Sequence, residues 1–197
     1  MTLLEPLSAD HVLGLVRAAN ESRETYAYTN VPVGELDMQR YVRDAWAGKY
    51  SGTTIPFATT DQRTGRIVGS TRFANIEFWD WPQGNPNRHR PHLPDTVEIG
   101  WTWLAASAQR TGINTEAKLI MLTFAFETWG VHRVAFRTDI RNERSRTAIV
   151  RVGAQFDGVL RRAQLAHDGF VRDTAIYSIL GTEWADTKTK LQGQLRL

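Results

Sequence analysis

The stretch EIGWTWLAASAQRTGINTEAKLIML, residues 98–122, decides the fold of this chain. Its beginning belongs to the segment TVEIGWTWL (96–104), whose β-branched and aromatic side chains predict a strand. Gly100 inside that strand indicates a bulge or a close approach by another backbone. A short loop follows, and the apolar positions of residues 115–129 predict a helix that packs on a sheet. The order strand, loop, helix is typical of a mixed α/β sheet.

The loop QRTGIN (109–114) has the features of an anion site. The N-terminus of the following helix offers unpaired backbone N–H groups and the positive end of the peptide dipole. Gly112 permits a close approach or a positive φ, Arg110 adds a cation, and Thr115 either caps the helix or offers a hydroxyl to phosphate. The loop lacks the Gly-Lys-Ser/Thr ending of a P-loop and the G-x-G-x-x-G dinucleotide pattern. The residues alone therefore predict an anion without identifying it.

The loop resembles the pyrophosphate loop of the GNAT superfamily, the acyl-CoA-dependent N-acyltransferases, whose pattern is Gln/Arg-x-x-Gly-x-Gly/Ala. Gln109, Gly112 and Asn114 occupy its three defined places, and Asn114 departs from the usual Gly or Ala. Asn tolerates unusual backbone angles better than most residues, so the departure is mild.

Later stretches extend the resemblance to most of the chain. RTDIRNERSRTAIVRVG (137–153) is similar to the family's next strand and helix, the helix being opened by Asn and ended by Gly. DGVLRR (157–162) and RDTAIYSIL (172–180), followed by Glu183-Trp184, resemble the closing strands of the branch that acetylates the N-termini of ribosomal proteins (RimJ/RimL-like).

The resemblance implies the α/β (α+β) GNAT fold, in which helices flank a mixed, mostly antiparallel central sheet. Two central strands, those of residues 98–104 and 133–138, are expected to splay apart. We expect one acyltransferase domain over residues 1–181 and a polar tail, 182–197, that is helical and only partly packed. The apolar patterns predict helices at 8–20, 35–48, 115–129 and 143–152, and strands at 55–60, 67–77, 96–104, 133–138, 156–162 and 174–180. The second helix is expected to bury Leu36, Tyr41, Val42 and Ala45.

In this family the pantetheine arm of the cofactor lies in the gap between the splayed strands. The resemblance implies that the backbone around Leu104 and Ala105 binds this arm, while Asn142 holds it from the next helix. Ser145 is expected to hydrogen-bond near the sulfur, and Arg146 to reach the nucleotide phosphates. The alternative is that Asn142 only caps the helix and Ser145 lies in its first turn, which fits the sequence equally well. The loop residues expected around the pyrophosphate are Gln109, Arg110, Thr111, Gly112, Ile113, Asn114 and Thr115.

The resemblance also implies that the substrate amine attacks the acyl carbonyl directly, so no enzyme nucleophile is needed. Glu98 lies eleven residues before Gln109, where some members of the superfamily place a catalytic glutamate, and it is our candidate general base. The alternative is that Glu98 pairs with an arginine such as Arg72, or binds the substrate without accepting its proton. Many relatives use a tyrosine as the general acid at the position where this chain has Ile149, which cannot donate a proton. Ser145 is therefore the candidate group near the leaving thiol.

The acceptor is expected to contact Tyr28, Trp79, Trp101 and Asp139. Trp101 and Trp103 alternate along one strand face, and we expect one of the two to be core. Trp79 belongs to the segment FWDWPQGNPNRHRPHLP (78–94), whose four prolines exclude a central strand or helix. We expect this segment to form a dimer contact or one wall of the acceptor site.

Composition excludes several classes of protein. The 197 residues include no cysteine, which rules out disulfides, a thiolate nucleophile and cysteine-ligated zinc. Only four of the 24 basic residues are lysines, and arginine suits phosphate and carboxylate ligands, although Arg-rich codon usage is the competing explanation. The basic residues are spread along the chain, which does not favour nucleic-acid binding. His89 and His92 have the spacing of a metal pair but lack further ligands nearby, so we expect no metal.

The family resemblance implies an acyl-CoA-dependent N-acetyltransferase that uses acetyl-CoA, or another short acyl-CoA, as co-substrate. The acceptor is expected to be a primary amine, either a protein N-terminus or a small molecule. The sequence shows neither a membrane-spanning apolar run nor a secretory signal at its start, which predicts the cytoplasm. We also expect a homodimer, by analogy with relatives. The alternative function is a non-catalytic acyl-CoA-binding sensor.

Overall fold

One sheet organises the molecule. The computed structural model describes residues 1–86 and 92–195, and within these ranges seven strands pair in the order β1-β2-β3-β4-β5-β7-β6. All pairs of neighbouring strands are antiparallel except β4 and β5, which are parallel. The strands are β1 (Thr2–Pro6), β2 (Thr54–Asp61), β3 (Arg66–Glu77), β4 (Thr96–Leu104), β5 (Arg133–Asp139), β6 (Gln155–Leu165) and β7 (Val171–Leu180).

Helices cover both faces of this sheet. They are α1 (Val12–Asn20), α2 (Gly34–Tyr50), α3 (Ile113–Thr123), α4 (Glu143–Val152) and α5 (Trp184–Leu195), and a π-helical turn, Phe124–Trp129, extends α3. One apolar cluster lies between the sheet and α1 and α2, and includes Leu15 and Met38. The other lies on the opposite face with α3 and α5, and includes Met121 and Leu191. We call these the first and the second layer. None of the described helices has the length and apolar character that a membrane crossing requires.

Most predicted elements are confirmed. The β2–β3 hairpin, β4, β5 and α4 occur within one or two residues of their predicted bounds. Two differences have physical causes. The five-residue strand β1 was not predicted, because it is formed by long-range pairing with β2 rather than by a local pattern. The prediction that α2 buries Leu36 is wrong, since Leu36 is 73% exposed. Met38 takes the inward place, because it shares one helix face with Val42 and Ala45.

The tail after the sheet contributes to the core. Residues Trp184–Leu195 form α5, and both Trp184 and Leu191 are buried in the second layer. Contacts between α3 and α5 hold the helix there. The helix predicted for the tail is confirmed, and the one face of it that is packed belongs to the core.

Strands β4 and β5 separate soon after they begin. They pair only at Thr96–Arg133, Val97–Val134 and Glu98–Ala135, and the remaining residues of the two strands diverge. The splayed strands expected from the family resemblance are therefore present.

A bulge lies in β4 where the strands diverge. On the β3 side, Ser70 faces Trp103 but Arg72 faces Gly100, so β4 contains one residue more than β3 in this interval. The bulge lies at Trp101, which has a φ of 50°, an uncommon backbone conformation for a residue with a large side chain. The bulge predicted from Gly100 is confirmed, and such a bulge bends its strand away from regular pairing.

Candidate active site

The gap between β4 and β5 has the character of a binding cleft. Beyond Glu98, the edge of β4 that faces β5 has no strand partner. The first turn of α3 lies after the loop at the end of β4, and its N-cap residue is Gly112, which has no side chain to bond the N–H groups of that turn. Backbone N–H groups of such a turn bind anions, and the unpaired edge can bind an extended chain. The residues present therefore fit the diphosphate and the pantetheine arm of coenzyme A.

The loop conformation differs in one detail from its prediction. Gly112 has a φ of −69°, so a positive φ does not explain the glycine. The residue with a positive φ is Arg110, at 59°. Among residues 1–86 and 92–195, a Cβ on Gly112 would meet only the Cδ2 of Leu195, at 3.5 Å. Close approach by a ligand stays the prediction for this position.

Gln109 braces the loop from three sides. Its Nε2 donates to the carbonyl oxygen of Leu104 at 2.8 Å and to Thr25 Oγ1 at 3.1 Å, while its Oε1 accepts from Arg144 at 2.6 Å. The Leu104 carbonyl also accepts from the hydroxyl of Tyr26 at 2.9 Å. Both lone pairs of this carbonyl are thus used, and a carbonyl has no further acceptor capacity. Backbone binding of the cofactor arm is therefore expected from other groups of β4 and from Ala105.

The remaining loop residues lie around the start of α3. The hydroxyl of Thr111 donates to the Ala108 carbonyl at 2.7 Å and accepts from the amide of Ile113 at 3.3 Å. Asn114 has a buried side-chain oxygen that finds no hydrogen-bond partner in the part of the chain that the structure describes. Thr115 is buried inside the helix, so the alternative that it caps the N-terminus is wrong.

Glu98 lies where the two strands part. Its side chain is buried, with 6% exposed, and it accepts a hydrogen bond from Asn75 Nδ2 at 2.7 Å. Its Oε2 also pairs with Nε of Arg137 at 3.1 Å, which identifies Arg137 rather than Arg72 as its ion-pair partner. Burial raises the pKa of Glu98, and the hydrogen bond from Asn75 and the charge of Arg137 offset only part of that increase. A buried carboxyl with a raised pKa suits general acid–base chemistry.

Helix α4 presents the other predicted cofactor residues. Asn142 Oδ1 accepts from the amide of Ser145 at 3.0 Å, so Asn142 does cap the helix. Arg146 donates from Nε to the hydroxyl of Tyr177 at 3.0 Å and from Nη1 to the Ile140 carbonyl at 3.3 Å, which ties α4 to the sheet. Capping does not conflict with a cofactor role for Asn142 and Ser145, which stays a prediction.

The predicted acceptor residues fall into separate places. Tyr28 and Trp101 line one pocket of about 290 Å³ in the first layer. Trp79 lines another pocket, of about 50 Å³, where its ring stacks on that of His132 with 5.4 Å between the ring centres. Trp103 is buried and Trp101 is 48% exposed, which confirms that one of the pair is core.

Asp139 is occupied by an arginine. Its carboxylate accepts from Arg141 Nε at 3.0 Å and from Arg141 Nη2 at 2.7 Å, and only 1% of its side chain is exposed. Burial would raise the pKa of Asp139, but the hydrogen bonds from Arg141 hold it below its usual range. This pair fixes the turn after β5, and the structure does not bring Asp139 into the 290 Å³ pocket.

The metal question concerns few residues. His89 lies outside the residues that the structure describes, and His92 lies in the smaller pocket. Within 1–86 and 92–195, the side chains form no group of three potential metal ligands.

A buried lysine was missed by the sequence analysis. Lys118 of α3 is buried beneath the bulge of β4, and its Nζ donates to Thr102 Oγ1 at 2.7 Å and to Thr71 Oγ1 at 3.1 Å. The two hydroxyls are 2.8 Å apart. Burial lowers the pKa of Lys118 to about 7. The signal in the sequence was a lysine inside the apolar stripe formed by Ala117, Met121 and Leu122.

Lys118 makes stability depend on pH. Between the folded pKa of about 7 and the ordinary value of 10.5, the unfolded chain holds a proton that the folded chain lacks. The free energy of unfolding therefore rises with pH across this window, with a slope that corresponds to the uptake of about one proton on unfolding. We expect denaturant titrations at pH 7 to 10 to show this slope in the wild type relative to Lys118→Met. Lys190→Met, at an exposed position of α5, should leave the slope unchanged, and a flat difference for Lys118→Met would contradict the assignment.

Comparison with known proteins identifies the fold family. Residues 2–155 match the acetyltransferase (GNAT) domain family. The curated protein "Putative ribosomal N-acetyltransferase YdaF" of Bacillus subtilis is 36% identical over 92 residues, which are 47% of this chain and 49% of that protein. The chain thus matches about half the length of this relative.

Solved structures of other proteins have a similar fold over nearly the whole chain. A GCN5-related N-acetyltransferase from Brucella melitensis is 26% identical, with a TM-score of 0.80 over 98% of this chain and 82% of that one. Mycobacterium smegmatis RimJ in complex with CoA-disulfide shares the fold, at 21% identity and a TM-score of 0.76 over 98% of this chain and 88% of that one. With its splayed strands and its loop before α3, the chain belongs to the GNAT family of acetyltransferases.

Proposed function

We propose that this protein transfers an acetyl group from acetyl-CoA to a primary amine by direct attack in a ternary complex. The observation that carries the proposal is the opening of β4 from β5 just beyond Glu98, which leaves a buried carboxylate beside a cleft. The family assignment supports the co-substrate, and the first turn of α3, with glycine at its N-cap, supports the diphosphate end of it.

Glu98 accepts the proton of the attacking amine. The raised pKa brings this carboxyl nearer to neutrality, where a base is both deprotonated and able to bind a proton. Arg137 and Asn75 hold its Oε2, so the carboxylate has a fixed orientation. The bound thioester supplies the carbonyl carbon: the new C–N bond forms, the C–S bond breaks, and the thiolate takes up a proton.

Ser145 lies in the first turn of α4, and we propose that it hydrogen-bonds near the departing sulfur. Ser145→Ala is then expected to lower kcat by about ten- to a hundredfold, since one charge-assisted hydrogen bond contributes roughly 1.5–3 kcal/mol. The KM for acetyl-CoA should change little, because the interaction strengthens as charge develops on the sulfur. Steady-state thiol release measures both values, and an unaltered kcat would remove Ser145 from the mechanism.

We propose an α-amino group as the acceptor. The relative named as a ribosomal N-acetyltransferase supports a protein N-terminus. An α-amino group has a pKa near 8, against about 10 for a lysine side chain, so a carboxylate base deprotonates it more easily near neutrality. The homodimer and the cytoplasmic location stay predictions.

Two measurements test the function. Calorimetry of the purified protein with CoA tests binding in the cleft, and thiol release from acetyl-CoA with a panel of amines and N-terminal peptides tests turnover. Mass spectrometry of the products locates the acetyl group. Binding of CoA without thiol release for any amine would favour a sensor over an enzyme, and failure to bind CoA would remove the proposal altogether.

A further inference from the structure

The 290 Å³ pocket contains an arginine that has no acidic partner. Arg72 of β3 lines the pocket and is only 7% exposed. Its Nε is buried and has no hydrogen-bond partner, and in the described part of the chain no carboxylate lies within 4.0 Å of the guanidinium. Donors left without an acceptor in a buried place cost free energy, which an acceptor group on a ligand can recover.

Two aromatic rings contact this guanidinium. Its central carbon lies 4.9 Å from the ring centre of Tyr41 and 5.1 Å from that of Trp101. Stacking on rings leaves the N–H edge of an arginine free, and this edge matches the two oxygens of a carboxylate. Burial and these two contacts therefore restrict the Arg72 side chain before any ligand arrives, and its guanidinium can bind a carboxylate through two hydrogen bonds.

The charge of the pocket favours the same ligand. Arg172 of β7 also lines it, and its Nε is buried without a partner while its Nη2 donates to Gln164 at 2.9 Å. One acidic residue, Asp44 of α2, is also among the lining residues, and it has a weak exposed ion pair with Arg43 at 3.7 Å. Two arginines and one aspartate suit a molecule that carries both an anionic and a cationic group.

The position of the pocket assigns this ligand to the acceptor side. None of the residues that line it belongs to the loop 109–115 or to α4. Arg72 pairs with Gly100 across β3 and β4, and Ala74 pairs with Glu98. Because residues two apart on a strand point to the same face, the side chains of Arg72 and Glu98 lie diagonally on one face of the sheet. The Glu98 carboxylate leans toward Gly100, since a Cβ there would lie 3.0 Å from Glu98 Oε1.

We infer that the amine acceptor carries a carboxylate, which Arg72 binds while Glu98 receives the proton of the amine. This inference rests on the proposed function and narrows its substrate class to amino carboxylates. The carboxylate comes either from a free amino acid or from an acidic side chain close to a peptide N-terminus.

The experiment compares matched acceptors. Thiol release is measured with free amino acids against their amides, and with peptides that have Asp or Glu near the N-terminus against Asn or Gln. The wild type is expected to prefer the carboxylate member of one set by about ten- to a hundredfold in kcat/KM, as for one charge-assisted pair. Whichever set shows the preference identifies the source of the carboxylate.

Variants at Arg72 locate the preference. Arg72→Met should abolish it, and Arg72→Lys, which keeps the charge without the planar edge, should retain only part of it. Arg66→Gln removes an exposed arginine at the start of the same strand, outside the pocket, and should keep the preference. The wild-type comparison alone remains decisive if Arg72→Met does not fold.

Several results would overturn the inference. The first is that the wild type uses the acid and its amide equally well, and the second is that the preference for the acid survives in Arg72→Met. The third is that a matched aminoalkyl phosphate is preferred over the carboxylate. The fourth is that Arg72 affects the rate only when succinyl-CoA is the donor. Calorimetry of the CoA-loaded protein with acid and amide provides a readout that does not need turnover. Carboxylate binding that depends on Arg72, without acetylation, would sustain this site and remove the proposed function, whereas acetylation without a carboxylate preference would do the reverse.

Discussion

Glu98→Gln is expected to lower kcat/KM by about 10² to 10⁴, the usual contribution of a positioned general base. Glutamine keeps the shape of the side chain and still accepts a hydrogen bond from Asn75, but it cannot take the proton of the amine. Thiol release measured over a range of pH checks the effect. The wild-type rate should fall on the acid side as Glu98 is protonated, at a pH above the ordinary carboxyl range, and this limb should be absent in the variant.

A measurement of unfolding shows whether Glu98→Gln loses activity because the base is missing or because the protein is misfolded. Because burial raises the pKa of Glu98, the folded protein binds this proton more tightly than the unfolded chain, so stability due to this group grows as pH falls through the folded pKa. At neutral pH the ionised carboxylate contributes no such stability, and Glu98→Gln should unfold at the same or a higher denaturant concentration. Glu77→Gln, near the exposed end of β3, is the matched control and should keep both activity and pH profile. An unchanged pH profile in Glu98→Gln would exclude Glu98 as the base.

Gly69→Ala is expected to destabilise the fold by about 3 kcal/mol or more, at the upper end of the cost of overpacking. Gly69 pairs with Leu104, and a Cβ on it would overlap the backbone oxygen of Trp103 and lie 2.9 Å from Leu104 Cδ2. Backbone atoms cannot give way as a flexible side chain can, so β3 and β4 must move apart. Urea denaturation measures the loss. Gly193→Ala, where a Cβ meets no heavy atom of the described residues within 4 Å, should leave stability the same or raise it slightly.

The same substitution should weaken acyl-CoA binding. Leu104 leads directly into Ala105, whose amide donates to the Val68 carbonyl at 2.7 Å, and then into the loop at 109–115. Displacement of this end of β4 therefore moves the proposed diphosphate site. Calorimetry with CoA at a temperature where the variant is still folded is expected to show a lower affinity. Full stability and affinity in Gly69→Ala would contradict the packing described for this strand pair.

Local patterns were sufficient for much of the fold. The strand, loop and helix of residues 98–122 and the cap and stop of α4 depend on neighbours in the sequence, and these elements were predicted within a few residues. The strand β1 could not be predicted in this way, because its five residues form a strand only by pairing with β2, more than fifty residues later. Helix α2 was predicted, but the choice between Leu36 and Met38 depends on which face meets the sheet.

The candidate site was less predictable than the fold. Glu98 was singled out, but its partner Arg137 comes from the strand beyond the gap, and the sequence offers no signal for that contact. Arg72 and Arg172 are a hundred residues apart and share a pocket only because β3 and β7 present them near the same opening. Trp79 was grouped with Tyr28 as an acceptor contact, yet the two residues line different pockets. Residues that meet through tertiary structure require the structure to be found.

The extra residue in β4 also decides that Trp103 enters the first layer. Val97 and Ile99, before the bulge, belong to the second layer, whereas Trp103, also odd-numbered, belongs to the first. Strand side chains alternate with a period of two, so one inserted residue reverses the parity of everything downstream. A deletion at this point would restore the parity, rotate Trp103 out of its own core and turn Thr102 away from Lys118. Length variation here is therefore expected to be far less tolerated than in the loops, since one residue couples the packing of two cores to the shape of the cleft.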